Sequence, residues 1–222
     1  MIEGAIFAAQ AIILFFLSRQ TINQFFYFLR RYINNEQAVF SIVTIFFLPG
    51  TILHELSHML VATLLLHRVR EVNIFPKWQG NYIKLGSVIY EKKDVIRSIF
   101  IGIAPFFFGI YFFWFIAHFK LFPSQTLIIN IVMLYLVYVV SSTMFSSKQD
   151  LVDVVYIIPV FIVIGFIFYV FDIKIGTLPG INTIVLAVSD FLRTVNLYLF
   201  YSLILNITLI ILLKGLQKVK RR

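Results

Sequence analysis

Residues 48–66 read LPGTILHELSHMLVATLLL, and within them His54-Glu55-Leu56-Ser57-His58 forms an H-E-x-x-H signature. Residues four apart on a helix are separated by about 400° of rotation, so His54 and His58 share one face. Two imidazoles placed this way reach one metal ion, with Glu55 beside it as a base for a water molecule. The surrounding run begins near Ala38 and is mostly apolar. It is longer than the ~20 residues that cross a bilayer. A charged side chain near the centre of such a helix costs roughly 2.5–3.5 kcal/mol on insertion scales, so ionisable groups there point to chemistry. The stretch predicts a zinc hydrolase site inside a membrane helix.

Composition agrees with the solvent this implies. The chain is 60% hydrophobic and 13% charged, where soluble domains average about 45–50% and about 25%. Residues 1–222 therefore read as a single membrane domain of an integral membrane protein. With no cysteine, a disulfide framework and thiolate-bound zinc are excluded, which leaves histidine and carboxylate as ligands. The net charge of +9 does not imply nucleic acid: 12 of the 19 Lys and Arg fall in residues 67–97 and 214–222, which flank apolar runs. The positive-inside rule accounts for that placement. Glu3 stands where a signal peptide would be basic, so the first apolar run reads as a retained span.

The fold class expected is an all-α polytopic membrane protein of about six transmembrane helices, with a small β-hairpin or sheet at the membrane surface. The expected spans are Ile2–Leu17, Ala38–Leu66, Ile96–Phe119, Thr126–Phe145, Leu151–Phe171 and part of Ile181–Leu213. The last stretch reads either as an interfacial segment followed by a span or as one tilted helix. Residues 1–37 divide into the first span and an aromatic-rich interfacial helix, Thr21–Ile33. Pro49 favours a kink ahead of the histidines. Val72–Phe75 and Tyr82–Tyr90 are rich in aromatic and β-branched residues, with Gln79-Gly80-Asn81 between them, and predict the hairpin. Asp190 and Arg193, spaced i, i+3, are expected to pair on a helix face.

A zinc hydrolase usually holds its metal through three protein ligands. Candidates for the third are His67, Glu71, His118, Asp150, Asp153, Asp172 and Asp190. Placing the basic C-terminus and the 67–97 loop in the cytoplasm runs the second and fourth spans inward. Asp150 then falls near the metal in the inner half of the bilayer, and His118 lies at the far end of its span. Asp153 is the substitute one turn later, and a helix N-cap is the plain structural role for Asp150. This orientation leaves Arg19, Arg30 and Arg31 on the outer side.

The segment LPGTILHELSHMLVATLLL resembles the catalytic helix of site-2 proteases, the intramembrane zinc metalloproteases. These enzymes carry a second motif, N-x-x-P-x-x-x-x-D-G, whose Asp is the third zinc ligand. Aligned on Asp150, Ser142 takes the Asn position, Phe145 the Pro position, and Leu151 the Gly position. Gly102-Ile103-Ala104-Pro105 echoes the family's small-residue G-P motif. The resemblance covers residues 38–155 and implies Zn2+ held by His54, His58 and Asp150, with Glu55 as general base. Ser142 is then the candidate for contact with the reacting carbonyl. The expected substrate is a membrane protein or peptide in the lipid bilayer, and the expected location is the cell membrane of a prokaryote. A substrate helix must unwind before attack. An edge strand near Ile83 and Leu85 is expected to hold it extended. Two rival readings are a non-proteolytic zinc-binding membrane protein, regulatory or chaperone-like, and an ion-coupled transporter.

Overall fold

The computed structural model describes residues 2–73, 77–79, 82–84, 87–91, 94–145 and 180–219. The described chain is mostly helical. Its elements are α1 (Ile2–Arg30), α2 (Glu36–Leu64), β1 (Val69–Asn73), β2 (Lys77–Gln79), β3 (Tyr82–Lys84), β4 (Ser87–Tyr90), α3 (Val95–His118), α4 (Leu127–Thr143) and α5 (Ile181–Val219). Four of these helices, α1, α2, α3 and α5, are long and apolar enough to cross a membrane. The 17-residue α4 is shorter, and the expected span Leu151–Phe171 lies outside the described residues. Among the described residues, then, four candidate spans stand where six were expected over the whole chain, a count compatible with an integral membrane protein.

Two boundaries differ from the sequence expectation. Thr21–Ile33 is not a separate interfacial helix, because α1 runs unbroken to Arg30. Its polar residues find partners within the fold: the Arg19 guanidinium lies 4.2 Å from the centre of the Phe15 ring, and Thr21 Oγ1 lies 2.8 Å from Asn206 Oδ1 on α5. The Ile181–Leu213 stretch is one helix, α5, whose 39 residues extend about 58 Å at ~1.5 Å per residue.

Capping explains where several helices start and stop. Asn35 Oδ1 accepts from the N–H groups of Gln37 and Ala38 at the start of α2, at 2.9 and 3.3 Å, and Asp94 Oδ1 accepts from Arg97 N–H at the start of α3 at 2.8 Å. Such caps satisfy donors that the first turn cannot. Both α2 and α3 end in a doubly bonded reverse turn. His67 N–H donates to Ala62 O and Leu66 N–H to Thr63 O; Leu121 N–H donates to Ile116 O and Lys120 N–H to Ala117 O. Glycine usually takes the left-handed position of this turn, but here Leu66 (φ 58°) and Lys120 (φ 52°) hold it. α2 is continuous through Pro49, and Tyr135 Oη donates to the Phe46 carbonyl beside the proline at 2.6 Å.

The expected hairpin is present as two nested antiparallel pairs, β1 with β4 and β2 with β3. Val72 pairs with Val88 in the outer pair, and Trp78 with Ile83 in the inner one. Arg70 and Glu91 form an exposed ion pair at its base, Nε to Oε1 2.8 Å.

The helices pack through two apolar clusters. One joins Leu14, Phe113, Ile116, Val137, Val140, Val195 and Leu199 from α1, α3, α4 and α5. The other joins Val39, Val43, Phe47, Tyr138 and Val139 from α2 and α4, with Phe25 and Leu209 against them. The Arg31 guanidinium donates to Gln217 O, and Arg30 pairs with Glu36 at 3.8 Å. The ends of α1 and α5 therefore meet at the start of α2. The 67–97 segment follows the other end, about 43 Å away along a 29-residue helix.

Candidate metal centre

α2 presents His54, Glu55 and His58 to the interior. Glu55 is 8% exposed and His58 6%. His58 Nδ1 lies 2.7 Å from the Ile101 carbonyl of α3, and His54 Nδ1 lies 2.7 Å from the Thr143 carbonyl of α4. A carbonyl oxygen only accepts, so each Nδ1 carries a proton, and in the neutral form of each ring the lone pair is on Nε2. The two Nε2 atoms face each other at 3.1 Å.

Two lone pairs at that distance repel unless a cation, a proton or a metal, lies between them. Two nitrogens bound tetrahedrally to zinc at about 2.0–2.1 Å stand about 3.3 Å apart. The donor set and its spacing fit zinc. Backbone carbonyls that fix the tautomer and ring orientation of metal-binding histidines belong to the same pattern.

Both anchoring carbonyls have a reason to accept from a side chain. Ile101 would normally accept from the N–H four residues on, but that residue is Pro105, which has none. Thr143 ends α4, and the last carbonyls of a helix have no intrahelical donor. α4 comes this close because α2 carries Gly50 one turn before His54. A Cβ at Gly50 would fall on Thr143 Oγ1 and lie 2.7 Å from the Val139 carbonyl oxygen. Gly109 plays a similar part on α3, where a Cβ would lie 2.7 Å from Met144 Cβ. Small residues allow helices to approach closely where hydrophobic expulsion from water gives no drive. Sequence reading noted Gly102-Ile103-Ala104-Pro105 as a motif but missed its consequence for Ile101. A proline four residues after a carbonyl was the available signal.

The candidates for a third ligand separate clearly. His67 is buried with Nδ1 2.8 Å from Glu91 O at the sheet. Glu71 accepts from Asn73. His118 is exposed and stacked on Trp114, centroids 4.8 Å apart. Asp190 is exposed on α5. Among the described residues no three His, Asp or Glu side chains gather into one metal-holding group. Asp150, Asp153 and Asp172 lie outside the described residues.

Ser142 is buried, and its hydroxyl donates to Tyr138 O at 2.7 Å. It is the neighbouring Thr143, through its carbonyl, that accepts from His54. Ile83 lies in β3 opposite Trp78, and Leu85 lies outside the described residues. The expected Asp190–Arg193 ion pair is not formed; the Thr194 hydroxyl donates to the Asp190 carbonyl at 3.0 Å. Exposed i, i+3 pairs are worth only a few tenths of a kcal/mol, too little to hold both side chains.

Comparison of the chain with protein-family models, with curated proteins and with solved structures finds no match.

Proposed function

We propose that the protein is an intramembrane zinc endopeptidase similar to site-2 proteases. The observation that carries this reading is the convergence of the His54 and His58 Nε2 atoms at 3.1 Å, with both Nδ1 atoms anchored on backbone carbonyls. His54 and His58 would hold the metal. Asp150 is the proposed third ligand and Asp153 its substitute. The anchoring of Thr143 on His54 supports this, since Asp150 follows seven residues later and seven residues reach at most about 25 Å.

Zinc, when bound, supplies the Lewis acidity that polarises a carbonyl and lowers the pKa of a water molecule. Glu55 accepts a proton from the attacking water and passes it to the amine nitrogen as the peptide C–N bond breaks. Its burial keeps bulk water from competing for that proton. The edge of β3 at Ile83 would hold an unwound substrate segment by main-chain hydrogen bonds, with Leu85 the second candidate. The substrate class is a membrane-embedded protein or peptide, and the proposed location is the cell membrane of a prokaryote.

The hydrogen bond from Ser142 to its own helix favours a second reading, a zinc-binding membrane protein without proteolytic turnover. Two experiments distinguish the readings. Co-expression with a single-span reporter is expected to give cleavage by the wild type and none by Glu55→Gln; equal processing by both sinks the protease reading. Metal analysis of purified wild type, Asp150→Ala and Asp153→Ala is expected to show one zinc per chain, lost in one Asp variant. A wild type without zinc removes both readings in favour of a transporter.

A further inference from the structure

A groove of about 660 Å³ opens at the turn between α3 and α4, walled by Lys120, Phe122 and Pro123 on one side and by Arg193, Leu197 and Tyr198 of α5 on the other. Lys120 and Arg193 are both exposed. Neither side chain makes an ion pair or hydrogen bond among the described residues, and Asp190, one turn from Arg193, does not neutralise it. Among the described residues, then, two cations without an ion pair share one groove.

Three observations describe what fills it. Lys120 occupies the left-handed position that closes α3, an unfavourable conformation for a residue with a Cβ. The turn therefore sets a cation where glycine would close the helix more easily. The groove lies at the end of an apolar helix, with Tyr201 of α5 against its wall residue Phe122, ring centroids 5.6 Å apart, and such aromatic residues collect at the headgroup level of a bilayer. Beside the cations the surface is apolar: Phe119 and Leu197 are about half exposed. A ligand that suits the site carries negative charge at one end and hydrocarbon at the other.

We propose that this groove binds the phosphate headgroup of an anionic membrane lipid, with Lys120 and Arg193 on the phosphate oxygens and an acyl chain along Leu197 and Phe119. Arginine offers paired N–H donors that match phosphate oxygens, and lysine a compact positive charge. The site is separate from His54 and His58, and the proposal holds whether or not the protein is a protease.

The test uses the full chain purified in a non-ionic detergent, with retained lipid read by native mass spectrometry. Dioleoylphosphatidylglycerol and dioleoylphosphatidylcholine are offered at equal concentration. The wild type is expected to prefer phosphatidylglycerol several-fold. Lys120→Gln/Arg193→Gln is expected to bring the ratio of the two lipids close to one, as the loss of two surface cations implies. Arg70→Gln/Arg97→Gln, near the sheet, is expected to keep it, and so is the charge-preserving Lys120→Arg/Arg193→Lys. Inorganic phosphate is the competing arm: if it displaces phosphatidylglycerol at equal concentration, the site takes free phosphate and the lipid assignment falls. A wild type without preference, or an undiminished preference in the Gln pair, overturns the proposal. If the Gln pair does not fold, the wild-type preference must still weaken as salt is raised, and a salt-independent preference counts against it.

Discussion

Gly50→Ala tests most directly how the helix packing shapes the proposed metal site. By helix propensity alone this substitution should stabilise α2 by about 1 kcal/mol. The neighbouring atoms say otherwise. The new Cβ would lie 2.7 Å from the Val139 carbonyl oxygen and 2.9 Å from Val139 Cγ1, as well as on Thr143 Oγ1. The Val139 oxygen is helix backbone and cannot rotate away, so relief requires α2 and α4 to part by about 0.7 Å, to an ordinary contact near 3.4 Å. Overpacking of this kind costs typically 1–3 kcal/mol, so the net effect is a destabilisation of up to about 2 kcal/mol. The same separation stretches the His54–Thr143 hydrogen bond from 2.7 Å to about 3.4 Å, beyond the useful range. Loss of an orienting partner of a metal-binding histidine lowers metal affinity 10- to 100-fold. Thermal unfolding in detergent and zinc competition with a fluorescent chelator measure the two effects. Gly215→Ala, with nothing within 4 Å of the added Cβ, is the control expected to stabilise. A Gly50→Ala protein as stable as the wild type and equal in zinc affinity would refute the packing argument.

The other expectations concern separate parts of the fold. Pro105→Ala restores an N–H that competes for the Ile101 carbonyl, so helix stability should rise while zinc affinity falls, by about tenfold because one carbonyl can accept twice; unchanged affinity in the chelator assay counts against it. Asn206→Ala removes contacts to Thr21 and Ser202 and should cost about 1–2 kcal/mol in mixed-micelle unfolding; no loss would mean that these bonds are replaced elsewhere. Asp94→Ala removes the α3 cap and should cost about 1 kcal/mol by the same measurement. Ile83→Pro should reduce reporter cleavage while leaving zinc bound, and unaffected cleavage would argue against a role for the strand edge.

How far the sequence could be read depended on the distance over which each residue finds its partner. The hairpin was legible because alternation and turn residues act within about 20 residues. The continuity of α1 was not, because Arg19 and Thr21 look like a break until Phe15 and the distant Asn206 absorb their polarity. The Asp190–Arg193 pair was expected from local spacing, yet Arg193 opens instead onto a groove shared with Lys120, a residue 73 positions earlier.

By itself the sequence showed long apolar stretches compatible with a membrane and the relation between two histidines. The apolar composition favours hydrocarbon surroundings, and the four-residue spacing of His54 and His58 places two imidazoles on one helix face. The tertiary structure decided which nitrogen each histidine presents. Carbonyls of Ile101 and Thr143, one exposed by Pro105 and the other by a helix end, hold both Nδ1 protons and turn both Nε2 atoms inward. Backbone carbonyls have no residue type, so their part in the site becomes visible only when α2, α3 and α4 are packed together.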